Sequence, residues 1–258
     1  MNAQDDNRDG GSIPTNLRML LILEEIVTAG VPVTPTEVNQ SIGLPKATIH
    51  RLFATLEAEG FLTREIDGRS YTPARRLRRM CMNVLSSLRV RTARLAVLSR
   101  LTQEIGETCN IAVPDREAMV YLDRVETEWP LRIQLPIGTQ VPFYCTASGK
   151  MYLSTLAPAH CERYLRAAKF EARTRATITD VDRLREEIEA TRTRGYAEDA
   201  EEFLENMIAI AVPIPDEQGR LLSTVSFHAP TQRLTLEQAR LHVPHLRNAA
   251  AELSRLLL

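Results

Sequence analysis

Two places in the chain gather side chains that can do chemistry. Lys46-Ala47-Thr48-Ile49-His50-Arg51 sets an ammonium, a hydroxyl, an imidazole and a guanidinium just after Pro45. Groups of these types read base edges and hold phosphates. Thr146-Ala147-Ser148-Gly149-Lys150 follows an extended Pro142–Cys145 run, with Thr146 placed to cap a helix. Free N–H groups in that first turn, with the helix dipole behind them, suit a carboxylate or a similar anion. The plainer reading is an ordinary capped helix. Gly149-Lys150 is not a Walker A loop, because Tyr144 stands where the earlier glycine belongs and Met151 follows the lysine.

Other reactive types are scattered. Asp199 lies in the charged run Glu198-Asp199-Ala200-Glu201-Glu202, by default a solvated loop. His228 ends the strand pattern Ser226-Phe227-His228 and reads as a satisfied, partly buried histidine or as a donor to an anion, adding charge when protonated. His242 and His245 stand three apart and His160 adjoins Cys161, but no third ligand is near either pair, so neither metal nor cofactor is implied. No GxSxG elbow, HExxH motif or credible Cys-His arrangement marks an enzyme. The four cysteines, Cys81, Cys109, Cys145 and Cys161, are far apart and fit reduced thiols better than disulfides.

The elements that position these groups follow from periodicity and punctuation. A first helix is expected over about residues 15–29, on Leu17, Leu20, Leu21, Ile26 and Val27, ending at Gly30. Thr34-Pro35-Thr36-Glu37 is a capping box with proline at the first helical position, and Ser41-Ile42-Gly43 stops that helix after about two turns. A third helix, Lys46 to about Glu59, places Ile49, Leu52, Phe53 and Leu56 on one buried stripe. Its opposite arc holds Ala47, Thr48, Arg51, Ala54, Thr55 and Ala58, small enough for close approach to a surface, with Arg51 near the middle. Two short helices about a tight glycine turn make a helix-turn-helix. Phe61–Glu65, Asp67-Gly68 and Arg69–Pro73 then form a basic hairpin, a wing fit to lie on the phosphate backbone or in the minor groove.

From Ala74 a linker helix is expected, continuing in a long helical stretch to about Gly106. Strands are expected at Cys109–Val113, Met119–Val125, Arg132–Leu135, Ile208–Val212 and Leu221–His228, and helices at about 147–156, 158–168, 180–194 and 235–257. That mixture is α+β, with one antiparallel sheet and flanking helices.

Composition sets wider bounds. The 258 residues, 44% apolar and 25% charged, are those of an ordinary globular protein with room for two cores. The net charge is −1, yet residues 41–80 hold eight basic residues (Lys46, Arg51, Arg64, Arg69, Arg75, Arg76, Arg78, Arg79) against four acidic ones, a local +4. A basic patch confined to this one region points to nucleic acid. No apolar stretch is long enough to span a membrane. The polar, acidic MNAQDDNRDGGSIPTN start has no secretory h-region, so a disordered leader and a cytoplasmic location are expected.

From about residue 15 to 257 the chain resembles the IclR family of transcription regulators. Gly43–Leu52 is similar to the family's recognition-helix signature, and Leu56–Leu62 to its continuation into the wing. Thr146–Lys150 resembles the signature opening the ligand pocket; Arg194–Ala197 with Asp199 and Glu201-Glu202, and Ala209–Ile214, resemble two further blocks. Five blocks in order are specific. Three positions depart. Pro142-Phe143-Tyr144-Cys145 stands where the family often has a histidine after a Pro-aliphatic pair, His228 where it has a small or hydroxyl residue, and Ala209 where relatives sometimes have cysteine. All three fall at the expected pocket, so the resemblance does not identify the ligand.

What the resemblance implies is a winged helix-turn-helix (residues 13–74) after a leader (1–12), a linker helix (75–87) and a GAF-like effector-binding and oligomerisation domain (88–258). Base readout is expected from Lys46, Thr48, His50 and Arg51, and phosphate contacts from Arg64, Arg69, Arg75 and Arg76. The effector site is expected from Ala147, Ser148, Asp199, Met207, Ala209, Ser226 and His228, with Met119 and Trp129 as further wall candidates; Trp129 fits a subunit contact equally well. The partners are then operator DNA, a small organic acid and a second or fourth copy of the chain. Two rivals stay open: an enzyme acting on an organic acid with the N-terminal helices as a docking module, and a constitutive DNA binder whose second domain only oligomerises.

Overall fold

The computed structural model describes residues 13–85, 88–116 and 118–257. The expected leader (1–12) and the last two residues of the expected linker helix (86–87) lie outside them. The chain divides into two compact units, Met1–Leu85 and Ser86–Leu258.

The first unit starts with α1 (Arg18–Ala29), which buries Ile22, Leu23 and Ile26 and ends at Gly30 in the left-handed region. Thr34 and Glu37 cap α2 (Pro35–Ile42) reciprocally: the Thr34 hydroxyl accepts from the Glu37 N–H at 3.3 Å and the Glu37 carboxylate from the Thr34 N–H at 2.7 Å. After Gly43, Asn39 fixes the turn, its Nδ2 donating to the Leu44 carbonyl at 2.7 Å and its Oδ1 accepting from the Leu44 N–H at 2.8 Å. Helix α3 (Lys46–Ala58) buries Ile49, Leu52, Phe53 and Leu56 against α1 and α2. Strands β1 (Leu62–Arg64) and β2 (Tyr71–Pro73) form the antiparallel wing, and Val33 bridges to Tyr71 as a third edge. Helix α4 (Arg75–Leu85), read from sequence as linker, adds Leu77 to this core.

The second unit runs α5 (Leu88–Ile105), β3 (Thr108–Asp115), β4 (Ala118–Val125), β5 (Gln140–Pro142), α6 (Ala147–Thr155), α7 (Pro158–Ala167) and α8 (Val181–Arg194). It continues β6 (Ala197–Ala200), β7 (Met207–Pro215), β8 (Leu221–Pro230), α9 (Leu236–Arg240) and α10 (Val243–Leu257). The six strands form one antiparallel sheet in the order β5-β4-β3-β8-β7-β6. Helices α5 and α10 pack on one face; α6, backed by α8, packs on the other. Ala197 on β6 and Ala209 and Ala211 on β7 leave room for α6 to settle on the sheet through Ala147 and Met151. The approach is tight at Gly149, where a Cβ would stand 2.3 Å from the Phe143 Cα.

Three sequence expectations are corrected. Arg132–Leu135 is not a strand: it lies between Pro130 and Pro136, and the Ile133 carbonyl is met by the Arg124 guanidinium instead of a ladder. The edge beyond β4 is β5. The run at Glu198–Glu202 is no solvated loop but opens as β6, with Glu198 turned to Arg240 (2.7 and 3.0 Å) and Asp199 turned inward. The last helix is two, because Pro244 lacks the N–H a continuous helix requires and so sits in the opening turn of α10.

Candidate functional site

On α3 the buried stripe turns Lys46, Ala47, His50, Arg51 and Ala54 to solvent, with Thr48 half-buried. The wing candidates are not alike. Arg64 pairs with Glu57 at 2.9 Å and lies over the Tyr71 ring, and Arg76 pairs with Glu59 at 3.0 Å over Phe61. Arg69 and Arg75 are exposed and make no side-chain hydrogen bond or ion pair among the described residues. They are therefore the freer of the four to meet phosphate.

Strand register builds the second site. Asp199 pairs with Ala209, Ala209 with His228, and His228 with Thr108, so one row crosses four strands. The next row runs Ala197, Ala211, Ser226, Asn110 and Arg124. Because neighbours across a ladder share a face, these side chains all lie on the side covered by α6. Thr146 caps α6 by accepting from the Gly149 N–H at 3.1 Å, and the N–H groups of Ala147 and Ser148 find no acceptor in their own helix. The Ser148 hydroxyl donates to that of Ser226 at 3.4 Å, tying helix start to sheet. Ala147, Ser148, Asp199, Ala209, Ser226 and His228 are thus brought together, and Met207 stands half-buried one step along the same face of β7. Met119 is a core residue packed with Tyr121 and Val141, and Trp129 lies 54% exposed with the Arg233 guanidinium 5.4 Å from its ring.

A sheet face next to a helix ordinarily packs with apolar groups. This one buries Asn110, Ser226, Thr224 and Thr108 completely. The Asn110 Nδ2 lies 2.8 Å from His228 Nδ1, the Tyr121 Oη 3.4 Å from His228 Nε2, and Arg124 Nη1 donates to Asn110 Oδ1 at 3.3 Å. A bulge lets both Tyr121 and Arg124 reach this face: Ile111 pairs with Asp123 and Ala112 with Tyr121, leaving Leu122 as the extra residue. Of the two sequence readings of His228, a satisfied histidine or a donor, both leave the ring neutral here. Burial, reinforced by the Arg124 charge, holds the imidazole down to about 3, so the ring is neutral.

At the other end of the row, Asp199 Oδ1 accepts from the Glu202 N–H at 2.7 Å and the Phe203 N–H at 3.3 Å, anchoring the turn after β6. Burial and the neighbouring Glu202 charge push its carboxyl up to about 7, against the pull of Lys150 and these two donors. Lys150, 1% exposed, pairs closely with Glu202 and lies 3.4 Å from Glu187, which Arg194 also holds at 2.7 Å. Asn110, Tyr121 and Arg124 escaped the sequence reading, and Lys150 and Glu202 stood in its motifs without a role. The one available signal was polar Thr108 and Asn110 alternating within Thr108–Val113.

Two surface grooves lie elsewhere, one along α7 at Glu162, Arg163 and Arg166, the other at Arg183, Glu186 and Glu187. Neither holds a residue of the polar rows. Among the described residues no cluster of histidine, cysteine and carboxylate groups fits a metal ion.

A winged helix-turn-helix joined to a domain with a polar, helix-capped sheet face defines a ligand-responsive DNA-binding regulator. Residues 17–65 match the IclR helix-turn-helix domain and residues 82–255 the bacterial transcriptional regulator IclR C-terminal domain. The chain is 38% identical over 237 residues to the probable transcriptional regulator SauR of Cupriavidus necator, covering 92% of this chain and 94% of that one. The crystal structure of Thermotoga maritima IclR superposes with a TM-score of 0.62 at 29% identity, over 93% of this chain and 97% of that one. An IclR homologue from Microbacterium hydrocarbonoxydans, complexed with 4-hydroxybenzoate, shares the fold at 24% identity and a TM-score of 0.59, over 93% and 98% of the two chains. The chain belongs to the IclR family of transcriptional regulators, and its relatives are regulators, not enzymes.

Proposed function

We propose that this regulator controls a catabolic or metabolic operon and senses a small organic acid bound by Ala147, Ser148, Asp199, Met207, Ala209, Ser226 and His228. The observation that carries this reading is the buried polar row itself: hydroxyl, amide, imidazole and carboxyl groups line a sheet face under a helix, where apolar packing is the rule. An anionic end of the effector would be received by the α6 N–H groups and His228, and a hydroxyl or amine at the other end by Asp199. The 4-hydroxybenzoate in the Microbacterium homologue has two such ends. His228, Asp199 and Ser226 are nearly sealed, so entry requires α6 or the turn after β6 to move.

Lys46, Thr48, His50 and Arg51 would read bases, and Arg64, Arg69, Arg75 and Arg76 would hold the backbone. One such helix covers too few base pairs for useful specificity, which favours a homodimer or homotetramer on a two-fold or repeated site. The location is cytoplasmic in this reading, where the operator is; no helix among the described residues is long and apolar enough to cross a membrane. Thermal unfolding of the full chain against a panel of small carboxylates tests the proposal. A ligand at 100 times its Kd should stabilise by about 2.7 kcal/mol. A flat response across hydroxy, keto and aromatic acids would contradict it.

A further inference from the structure

We propose that Asn110 is a positioning residue for the effector site: held by Arg124, its side-chain amide fixes His228 as the tautomer protonated on Nε2. The site then meets its ligand with an N–H donor and selects a hydrogen-bond acceptor there, the oxygen of a carboxylate or similar oxyanion. This rests on the effector-site reading above.

A guanidinium only donates. Arg124 Nη1 lies 3.3 Å from Asn110 Oδ1, so the amide oxygen faces Arg124 and the NH2 faces the other way. That NH2 lies 2.8 Å from His228 Nδ1 and can only donate, so Nδ1 must offer a lone pair. A neutral imidazole has one proton, which therefore sits on Nε2. The reverse amide orientation would set NH2 against guanidinium and oxygen against Nδ1. It would lose the first bond outright, in a place where Asn110 is fully buried and water cannot compensate.

Arg124 is itself pinned. Its Nε donates to Glu126 at 3.2 Å and its Nη2 to the Ile133 carbonyl. The strand bulge at Leu122 brings it to the side of the sheet that holds Tyr121. The hydrogen-bond partner of Nε2, Tyr121 Oη, is 3.4 Å away, so the Nε2 proton is only loosely engaged and stays available to a ligand. The result is a donor kept neutral, with a fixed positive charge two hydrogen bonds behind it. A lone pair at Nε2 would instead repel an oxyanion.

The test is nitrogen NMR of the full chain labelled at its five histidines, with His228 assigned by its loss in His228→Gln. The expected result is protonated Nε2 and bare Nδ1 at neutral pH. In Asn110→Asp, a carboxylate accepts from both sides, so Nδ1 should gain a proton. In Arg124→Met, the amide loses its lock and the two tautomers should mix. Protonated Nδ1 in the parent, or an unchanged ring in both variants, would overturn the proposal. Benzoate and glycolate should move the Nε2–H resonance more than benzamide does. If neither moves it while the tautomer is as stated, the positioning relation stands and the effector-site reading fails.

Discussion

Asp199 and His228 stand on one row of the sheet, two strands apart, with only the methyl group of Ala209 between them. Two strand spacings of about 4.8 Å put their backbones roughly 10 Å apart, the length of a small two-ended molecule with both side chains reaching inward. The carboxyl is pushed up by burial to about 7 and the imidazole down by burial to about 3, so at neutral pH the imidazole is neutral and the carboxyl is held on the edge of protonation. A charged ligand end therefore meets directed hydrogen bonds at His228, with the Arg124 guanidinium behind Asn110 and the Lys150–Glu202 pair near Asp199.

The first prediction separates recognition from anchoring at Asp199. Asp199→Ala removes the acceptor of the Glu202 and Phe203 N–H groups and should cost about 1–3 kcal/mol in urea unfolding. Asp199→Asn keeps an oxygen for them and should unfold nearly as the parent does, yet lose its response to the effector. Equal stability of the Ala variant would show that the turn after β6 does not lean on this side chain.

Stability against pH should expose both ends of the row. Asp199, raised from 3.8 to about 7, contributes stability that is present below about pH 4 and lost as pH rises toward 7. His228, lowered from 6.5 to about 3, contributes stability that is present above 6.5 and lost as pH falls toward 3. Between about pH 4 and 6.5 the two oppose each other, each with a slope of at most about 1.4 kcal/mol per pH unit. Relative to the parent, Asp199→Asn should gain stability as pH rises through this window. His228→Gln should gain as pH falls. Glu202, also pushed up by burial, acts on Asp199 by its charge, so the Asp199→Asn difference reports the two carboxyls together, while Glu202 is common to the parent and His228→Gln. Parallel curves for parent and variants would show that neither group is shifted.

Lys150 neutralises Glu202 in a buried place, and one Glu202 oxygen already lacks a partner. Lys150→Met should leave that carboxylate uncompensated and destabilise the domain by about 3–5 kcal/mol. Lys150→Met with Glu202→Gln should recover part of the loss, measured by thermal unfolding. A cost below 1 kcal/mol, by the same measure, would place the pair in contact with water.

DNA binding should sort the arginines. Arg69→Ala and Arg75→Ala should each reduce the salt slope of operator binding by about 0.9 per lost phosphate contact and weaken all sequences alike. Arg64→Ala and Arg76→Ala should change it less, because Glu57 and Glu59 already hold those groups. Arg51→Ala should instead relax sequence preference, by about 1–3 kcal/mol if it reads guanine. Retained specificity with uniformly weaker binding would move Arg51 to the backbone class.

The N-terminal domain was legible because its signals are local. Capping box, glycine stops and the Ile49–Leu52–Phe53–Leu56 stripe each act within a few residues, and α2 and α3 begin where those signals put them. The sheet was legible in its long strands and not at its margins. Short β5 and charged β6 lack an apolar alternation, since Asp199 faces inward as a polar group and Glu198 outward to an ion pair. The Asn110–His228 contact joins residues 118 apart in sequence, and the bulge at Leu122 shifts Arg124 to a face that simple alternation denies it. Strand register carries that information, and no local window holds it.

Operator affinity with and without a stabilising carboxylate, measured by fluorescence anisotropy in the parent and in His228→Gln, shows whether an effector acts through this row of the sheet. In the parent the carboxylate should change affinity by about 5-fold or more, the range of ordinary allosteric coupling. In His228→Gln the effector-free affinity should stay within about twofold of the parent, a difference below 0.5 kcal/mol, and the carboxylate should leave it unchanged. An undiminished response in that variant would contradict an effector site built on this row of the sheet.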